Sequence, residues 1–347
     1  MSAVDWELAS SLGRRFVKPG PEVSSVEAQE VVADLNRSAA AAVEPVRRTT
    51  GLVADQADHR TIVVDRAAWI DSNVTGMRLI TAALERHLDD RRDPHSAMAL
   101  AGSKATAVQV GTMLSWVATK VLGQFEAVTP PGEPGRLLLV APNIVATERR
   151  LEIPSADFRM WVCLHEETHR VQFGAVPWLE GYFTAEIDTF LAGVDLGTAE
   201  TLRRAGAVAA AVFHVLRGAS GASILDAAQS EQQREVFARL TAFMSLLEGH
   251  ADYVMDAVGP EVVPTLDLIR ERFDAQRNEP GAMDGLLRRL MGMDAKLKQY
   301  SDGRRFVAGV VDEVGMAGFN RVWESPAHLP TVAEIGTPGA WVRRVVG

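Results

Sequence analysis

The sequence predicts a mainly α chain of the α+β class, with one small sheet. Three observations point there. Apolar residues recur at helical spacing through most of the 347 residues, with Gly and Pro between the segments. Only two short stretches, Thr61–Val64 (TIVV) and Leu137–Ile144 within RLLLVAPNIV, gather apolar residues as a strand does. No repeat at a fixed period and no low-complexity segment suggests a solenoid or an array.

The elements follow in order. Trp6, Leu8, Leu12 and Phe16 mark a short amphipathic helix, broken by Pro19-Gly20-Pro21. Val26–Val46 is rich in Ala, Glu and Val and reads as a helix ending near Pro45. Thr61–Val64 reads as a short strand or as the approach to a helix containing Trp69 and Ile70, Val74–Leu88 as a helix, and Leu100–Phe125 as a closely packed helix rich in small residues. PPGEPG (Pro130–Gly135) is a loop before the Leu137–Ile144 strand. Ser155 is the expected N-cap of a helix over Ala156–Phe173. Tyr182–Leu196, Leu202–Leu216, Ile224–Ala257, Val262–Arg277, Leu286–Gln299 and Phe306–Gly315 read as further helices, and the tail after Ser325-Pro326 as turns. Residues 1–130 are expected to form an N-terminal helical region and 131–347 a metal-binding region, packed as one compact unit.

Composition narrows the function. With 36 Lys+Arg against 45 Asp+Glu, the net charge of −9 argues against a broad nucleic-acid face and against a polybasic membrane surface. The single cysteine, Cys163, permits no intrachain disulfide and reads as a small buried apolar residue. The run Ala205–Leu216 is too short for a bilayer, which takes about 20 residues. The first 15 residues lack the apolar core of a secretory signal, so the expected location is cytoplasmic, with no nucleic-acid or membrane partner.

One motif carries chemistry. His165-Glu166-Glu167-Thr168-His169 has the form H-E-x-x-H, within the apolar-flanked helix of Met160, Trp161, Val162 and Leu164. Residues i and i+4 share a helix face with Cβ atoms about 5–6 Å apart, so two imidazoles can reach one zinc ion at about 2.0–2.1 Å. Glu166 is turned about 100° from His165, close enough to act as base on a metal-bound water. A catalytic zinc takes a third protein ligand. His59, His87, His95, His214, His250 and His328 are candidates, but Leu246–Asp252 (LLEGHAD) is the best segment. Glu248 there is a semi-buried carboxylate among Phe243, Met244, Leu247, Val254 and Met255. Asp252, one turn on, could accept the free N–H of a zinc-bound histidine. His250 points about 200° away from Glu248, so both cannot ligate from one regular helix, and Glu248 is preferred. His250, Tyr253, Tyr182, Tyr300 and Arg170 are candidates for lining the cleft or stabilising a transition state.

HEETH with a distant Glu248-x-x-x-Asp252 resembles the gluzincin zinc peptidases. More closely, the chain resembles an actinobacterial family of zincin-like metallopeptidases (type 2), sometimes labelled as associated with deazaflavin coenzyme biosynthesis. The resembling segments are VGTMLSWVATKVLGQF, LLLVAPNI, LHEETHRVQFGAVPWL, LLEGHADYVMDAVGP, KLKQYSDGRRFV and FNRVWESPAHLPT. The resemblance implies a zincin-like helical fold with its small sheet beside the metal helix. It implies His165, His169 and Glu248 as ligands of Zn²⁺ and Glu166 as base, and a strand at Leu137–Ile144 that lines the cleft and pairs with a peptide. The gap from His169 to Glu248 is longer than in ordinary gluzincins. The expected activity is zinc-dependent hydrolysis of an amide bond in a peptide or protein. The alternative is a catalytically silent metal-binding or regulatory protein of the same fold.

Overall fold

The computed structural model describes residues 4–54, 60–89, 97–130, 132–192, 231–278 and 293–347. Twelve helices and three strands lie among them: α1 (Trp6–Phe16), α2 (Ser25–Thr50), β1 (Arg60–Val64), α3 (Arg66–Asp89), α4 (Ala97–Val117), β2 (Gly123–Glu126), β3 (Arg136–Val140), α5 (Ala141–Leu151), α6 (Ser155–Ala175), α7 (Leu179–Ala192), α8 (Glu231–Ala257), α9 (Leu266–Asn278), α10 (Met293–Phe319), α11 (Val332–Ile335) and α12 (Pro338–Val345). Two short 3₁₀ turns, Asn320–Trp323 and Pro326–His328, follow α10. The fold is mainly α with one small sheet, as the sequence predicts.

The sheet organises the first half. Its order is β1-β3-β2, with β1 parallel and β2 antiparallel to β3. β3 is central, and Leu137, Leu138, Leu139 and Val140 are all buried. Successive side chains in a strand point to opposite faces. Leu138 and Val140 enter a core with Trp69, Ile70, Val110 and Leu114 from α3 and α4. Leu139 enters a second core with Leu35, Ile144, Phe158 and Leu164 from α2, α5 and α6. Each buried Leu contributes about 2 kcal/mol. Strands from before residue 130 thus flank a strand from after it.

A third core gathers α7, α8, α10 and the C-terminal helices around Phe243, Phe306, Phe319 and Trp341. Here α8 and α10 cross backbone to backbone at Gly249 and Gly303, where a Cβ on either residue would overlap the other helix. That contact requires glycine and anchors the Glu248 turn.

Several expectations are corrected. Pro45 lies inside α2, which runs on to a left-handed cap at Gly51 with φ 68°. Burial of Val46 and Thr50 outweighs the one lost hydrogen bond. Ser155 is the first residue of α6 and not its N-cap; Pro154 holds that place, and Asp157 accepts instead from Thr265 N and Oγ1 at 2.9 and 2.7 Å. The small-residue helix stops at Val117, and Gly123–Glu126 is strand β2. The Leu137–Ile144 strand ends at Val140, because Pro142 suits the first turn of α5. Being paired on both sides, β3 has no free edge for a peptide, and the cleft-strand expectation fails for it. The tail carries helices α11 and α12. Leu202–Leu216 lies outside the described residues. Among those described, no helix is long and apolar enough to cross a membrane.

Candidate metal centre

His165 and His169 stand one turn apart on α6, with Nε2 atoms 3.2 Å apart and ring planes at 87°. Glu248 reaches them from α8, its Oε2 lying 3.3 Å from His165 Nε2 and 3.6 Å from His169 Nε2. These three are the group among the described residues able to share one metal ion. Donors arranged tetrahedrally about a zinc ion at about 2.0–2.1 Å stand about 3.3–3.4 Å from each other. The three edges found here match that spacing. Glu248 Oε2 is buried and has no hydrogen-bond partner among the described residues, which is costly for a carboxylate unless a cation completes it. The donor set therefore fits the ion the family resemblance implies.

The electrostatics agree. Burial alone would raise the Glu248 carboxyl. The pull of the two imidazoles, at geometries short of proper hydrogen bonds, outweighs it and holds the group well below the usual carboxylate range. Burial likewise would lower His169, but Glu248, then Glu166 and Gln172, raise it to about 9. Glu248 and His169 thus each favour the charged form, as a carboxylate paired with an imidazolium where a cation would otherwise stand.

Glu166 is buried. Its carboxylate lies against the backbone of Gly123 in β2: a Cβ there would stand 2.6 Å from Glu166 Oε1 and 2.7 Å from Cδ. Strand β2 is the edge strand beside α6, and its Phe125 packs on Phe173 of α6 with centroids 5.8 Å apart and rings tilted at 31°.

The remaining expected residues are distributed elsewhere. Asp252 is committed to Arg270, whose Nη1 lies 3.2 Å from its carboxylate and whose Nη2 bonds its carbonyl. The expected bond from a ligand histidine to Asp252 is replaced: His165 Nδ1 faces Met255 Sδ at 3.1 Å, and His169 Nδ1 faces Gln172 Oε1 at 2.9 Å. His250 is fully buried against Phe319 and Trp323 and bonds Gln172, so it backs the site and does not line a cleft. Its burial pushes the imidazole down to about 3. Tyr182 packs on Trp178 and Phe243, and burial with Glu186 nearby pushes its hydroxyl up. Tyr253 is raised by burial and by Asp312. Arg170 forms a buried fork with Glu167. His59, His95 and His214 lie outside the described residues, as do the side chains of His87 and Tyr300. Cys163 is buried with its thiol raised by burial, Sγ lying 3.9 Å from Leu35 O.

Two residues at the site were missed from sequence. Gln172 is three residues after His169 and shares its face, a signal that helix projection could have found. Gly123 carries no local signal, because its contact with Glu166 depends on strand β2.

Comparison with known proteins bears on this geometry. A family model described as zincin-like metallopeptidase matches residues 4–342. The crystal structure of a proposed hydrolase with a novel fold from Chloroflexus aurantiacus is similar over 98% of both chains, with a TM-score of 0.70 and 28% identity. No curated protein matches.

Proposed function

The chain belongs to the zincin-like metallopeptidase family, and from that premise we propose that it is a zinc-dependent hydrolase that cleaves an amide bond in a peptide or protein. The observation that carries this reading is the convergence of His165 Nε2, His169 Nε2 and Glu248 Oε2 on one point, with buried Glu166 adjacent to the first histidine. His165, His169 and Glu248 would hold the ion. When bound, zinc supplies Lewis acidity and lowers the pKa of water to about 7.

The chain's own residues do the rest. Glu166 takes a proton from the attacking water and delivers it to the leaving nitrogen, a role worth about 10²–10⁴ in rate. Gly123 gives its carboxylate room. The outer edge of β2 is the sheet edge nearest the site and suits an extended peptide, which would add as a further strand.

The test has two parts. Purified protein is expected to hold one zinc per chain, lost in His165→Ala. Glu166→Gln is expected to keep the zinc and lose hydrolysis by about 10²–10⁴. Absence of zinc from the wild type would overturn the reading. Zinc without cleavage of any peptide in a broad library would leave a metal-binding protein without turnover.

A further inference from the structure

Gln172 is fully buried and makes three hydrogen bonds. Its Oε1 is 2.9 Å from His169 Nδ1. Its Nε2 is 3.0 Å from the carbonyl oxygen of Leu247 and 3.0 Å from His250 Nδ1. Resting on the zinc reading above, we propose that Gln172 is a positioning residue that fixes the metal-binding tautomer of His169 and ties it to the turn of α8 that carries Glu248.

The argument is one of proton counting. An amide side chain has one accepting oxygen and two N–H donors on its nitrogen. A backbone carbonyl only accepts, so Leu247 O must face the nitrogen of Gln172. That choice turns Oε1 toward His169, where it can only accept, so His169 carries a proton on Nδ1. Its Nε2 then presents a lone pair toward His165 and Glu248. The opposite amide orientation would set oxygen against oxygen at Leu247 and leave His169 Nδ1 to accept, which would put its proton on Nε2, the atom that faces the metal position.

His250 completes the clip. The second N–H of Gln172 needs an acceptor, and His250 Nδ1 is placed to be it. The proton of a neutral His250 is then on Nε2, a buried atom with no hydrogen-bond partner among the described residues, against the rings of Phe319 and Trp323. A buried imidazole with one nitrogen unsatisfied is unfavourable in itself. The nitrogen it does use is the one that holds the amide in place. Because Leu247 precedes Glu248 and His250 follows it by two residues, the clip grips both ends of the ligand's turn.

The experiment measures zinc affinity by chelator competition on the full-length wild type and on Gln172→Leu, with circular dichroism of the metal-free proteins to show that both fold. Gln172→Leu is expected to bind zinc about 10–100-fold more weakly and to change the visible spectrum of the cobalt-substituted protein. A residue serving only the core would lower the melting temperature without moving either readout. Equal zinc affinity in the two proteins overturns the proposal alone. A wild type that binds no zinc overturns the zinc reading and the proposal with it. Should Gln172→Leu fail to fold, nitrogen NMR of ¹⁵N-histidine-labelled wild type decides. His250 protonated on Nε2 and His169 on Nδ1 in the zinc-loaded protein support the clip, and His250 protonated on Nδ1 overturns it.

Discussion

Two of the buried polar clusters on helix α6 differ in kind. Near its start, Arg159 spreads its guanidinium over Glu148 from α5, at 3.1 and 2.7 Å, and over Asp34 from α2, at 2.7 Å. Each of the three nitrogens has a carboxylate oxygen, and both oxygens of Glu148 are used. Two turns on, His165, His169 and Glu248 bring three donor atoms together, and Glu248 Oε2 has no hydrogen bond among the described residues. Burial of charge is thus no sign of chemistry by itself. The first cluster is complete from the chain's own groups, whereas the second leaves a carboxylate oxygen without a hydrogen bond, as the proposed zinc site requires.

That contrast yields its largest test in a pair of substitutions. Glu148→Ala leaves the Arg159 charge buried with only half-exposed Asp34. It is expected to cost about 3–5 kcal/mol in urea denaturation, with zinc content of the folded protein unchanged. Glu248→Gln is expected to do the reverse: zinc is lost, while the metal-free protein is destabilised by less than in Glu148→Ala, because the His169 imidazolium left behind can give up its proton and the Arg159 guanidinium cannot. If Glu248→Gln cost as much as Glu148→Ala in metal-free protein, the two clusters would be of one kind.

The second test lies at the border of the two regions. Glu166 is pressed against Gly123, and alanine there would put a carbon 2.6 Å from its carboxylate oxygen. Gly123→Ala must therefore displace the carboxylate or the strand. Turnover of any peptide the wild type cleaves is expected to fall about 10–100-fold, the scale of a displacement near 1 Å, with zinc content unchanged. Wild-type turnover in Gly123→Ala would mean that the carboxylate has room to relax.

What could be read from the sequence follows from the range of each interaction. The pairing of His165 with His169 is local, because helical geometry alone sets it. Glu248 was legible as a carboxylate among apolar neighbours that needs a partner. Asp252 was misread because its partner, Arg270, comes from α9, a helix that spacing within α8 cannot reveal. The central position of β3 was hidden for the same reason: it depends on pairing with β1 and with β2, whose four residues GQFE show no alternating pattern. Gly249 and Gly303 are 54 positions apart, and only their crossing explains why both are glycine.

The smallest effect belongs to a third cluster, closed like that of Arg159 but nearer the surface. Glu334 of α11 accepts from Thr331 N at 2.9 Å in a reciprocal cap and from Arg344 of α12 at 2.6 and 3.0 Å. Burial alone would raise its carboxyl, but Arg344 and the Thr331 backbone outweigh it and hold the group below its usual value. A carboxylate whose pKa is depressed by folding adds stability that is complete above the unfolded pKa of about 4.3 and is lost as pH falls through the lower folded value. Glu334→Gln is therefore expected to cost about 1 kcal/mol at pH 7 in urea denaturation. The gap to wild type should narrow below about pH 4.3 and close once the folded carboxyl is protonated. A gap independent of pH would assign the cap to shape and not to charge, and would separate this cluster from the ionic closure around Arg159.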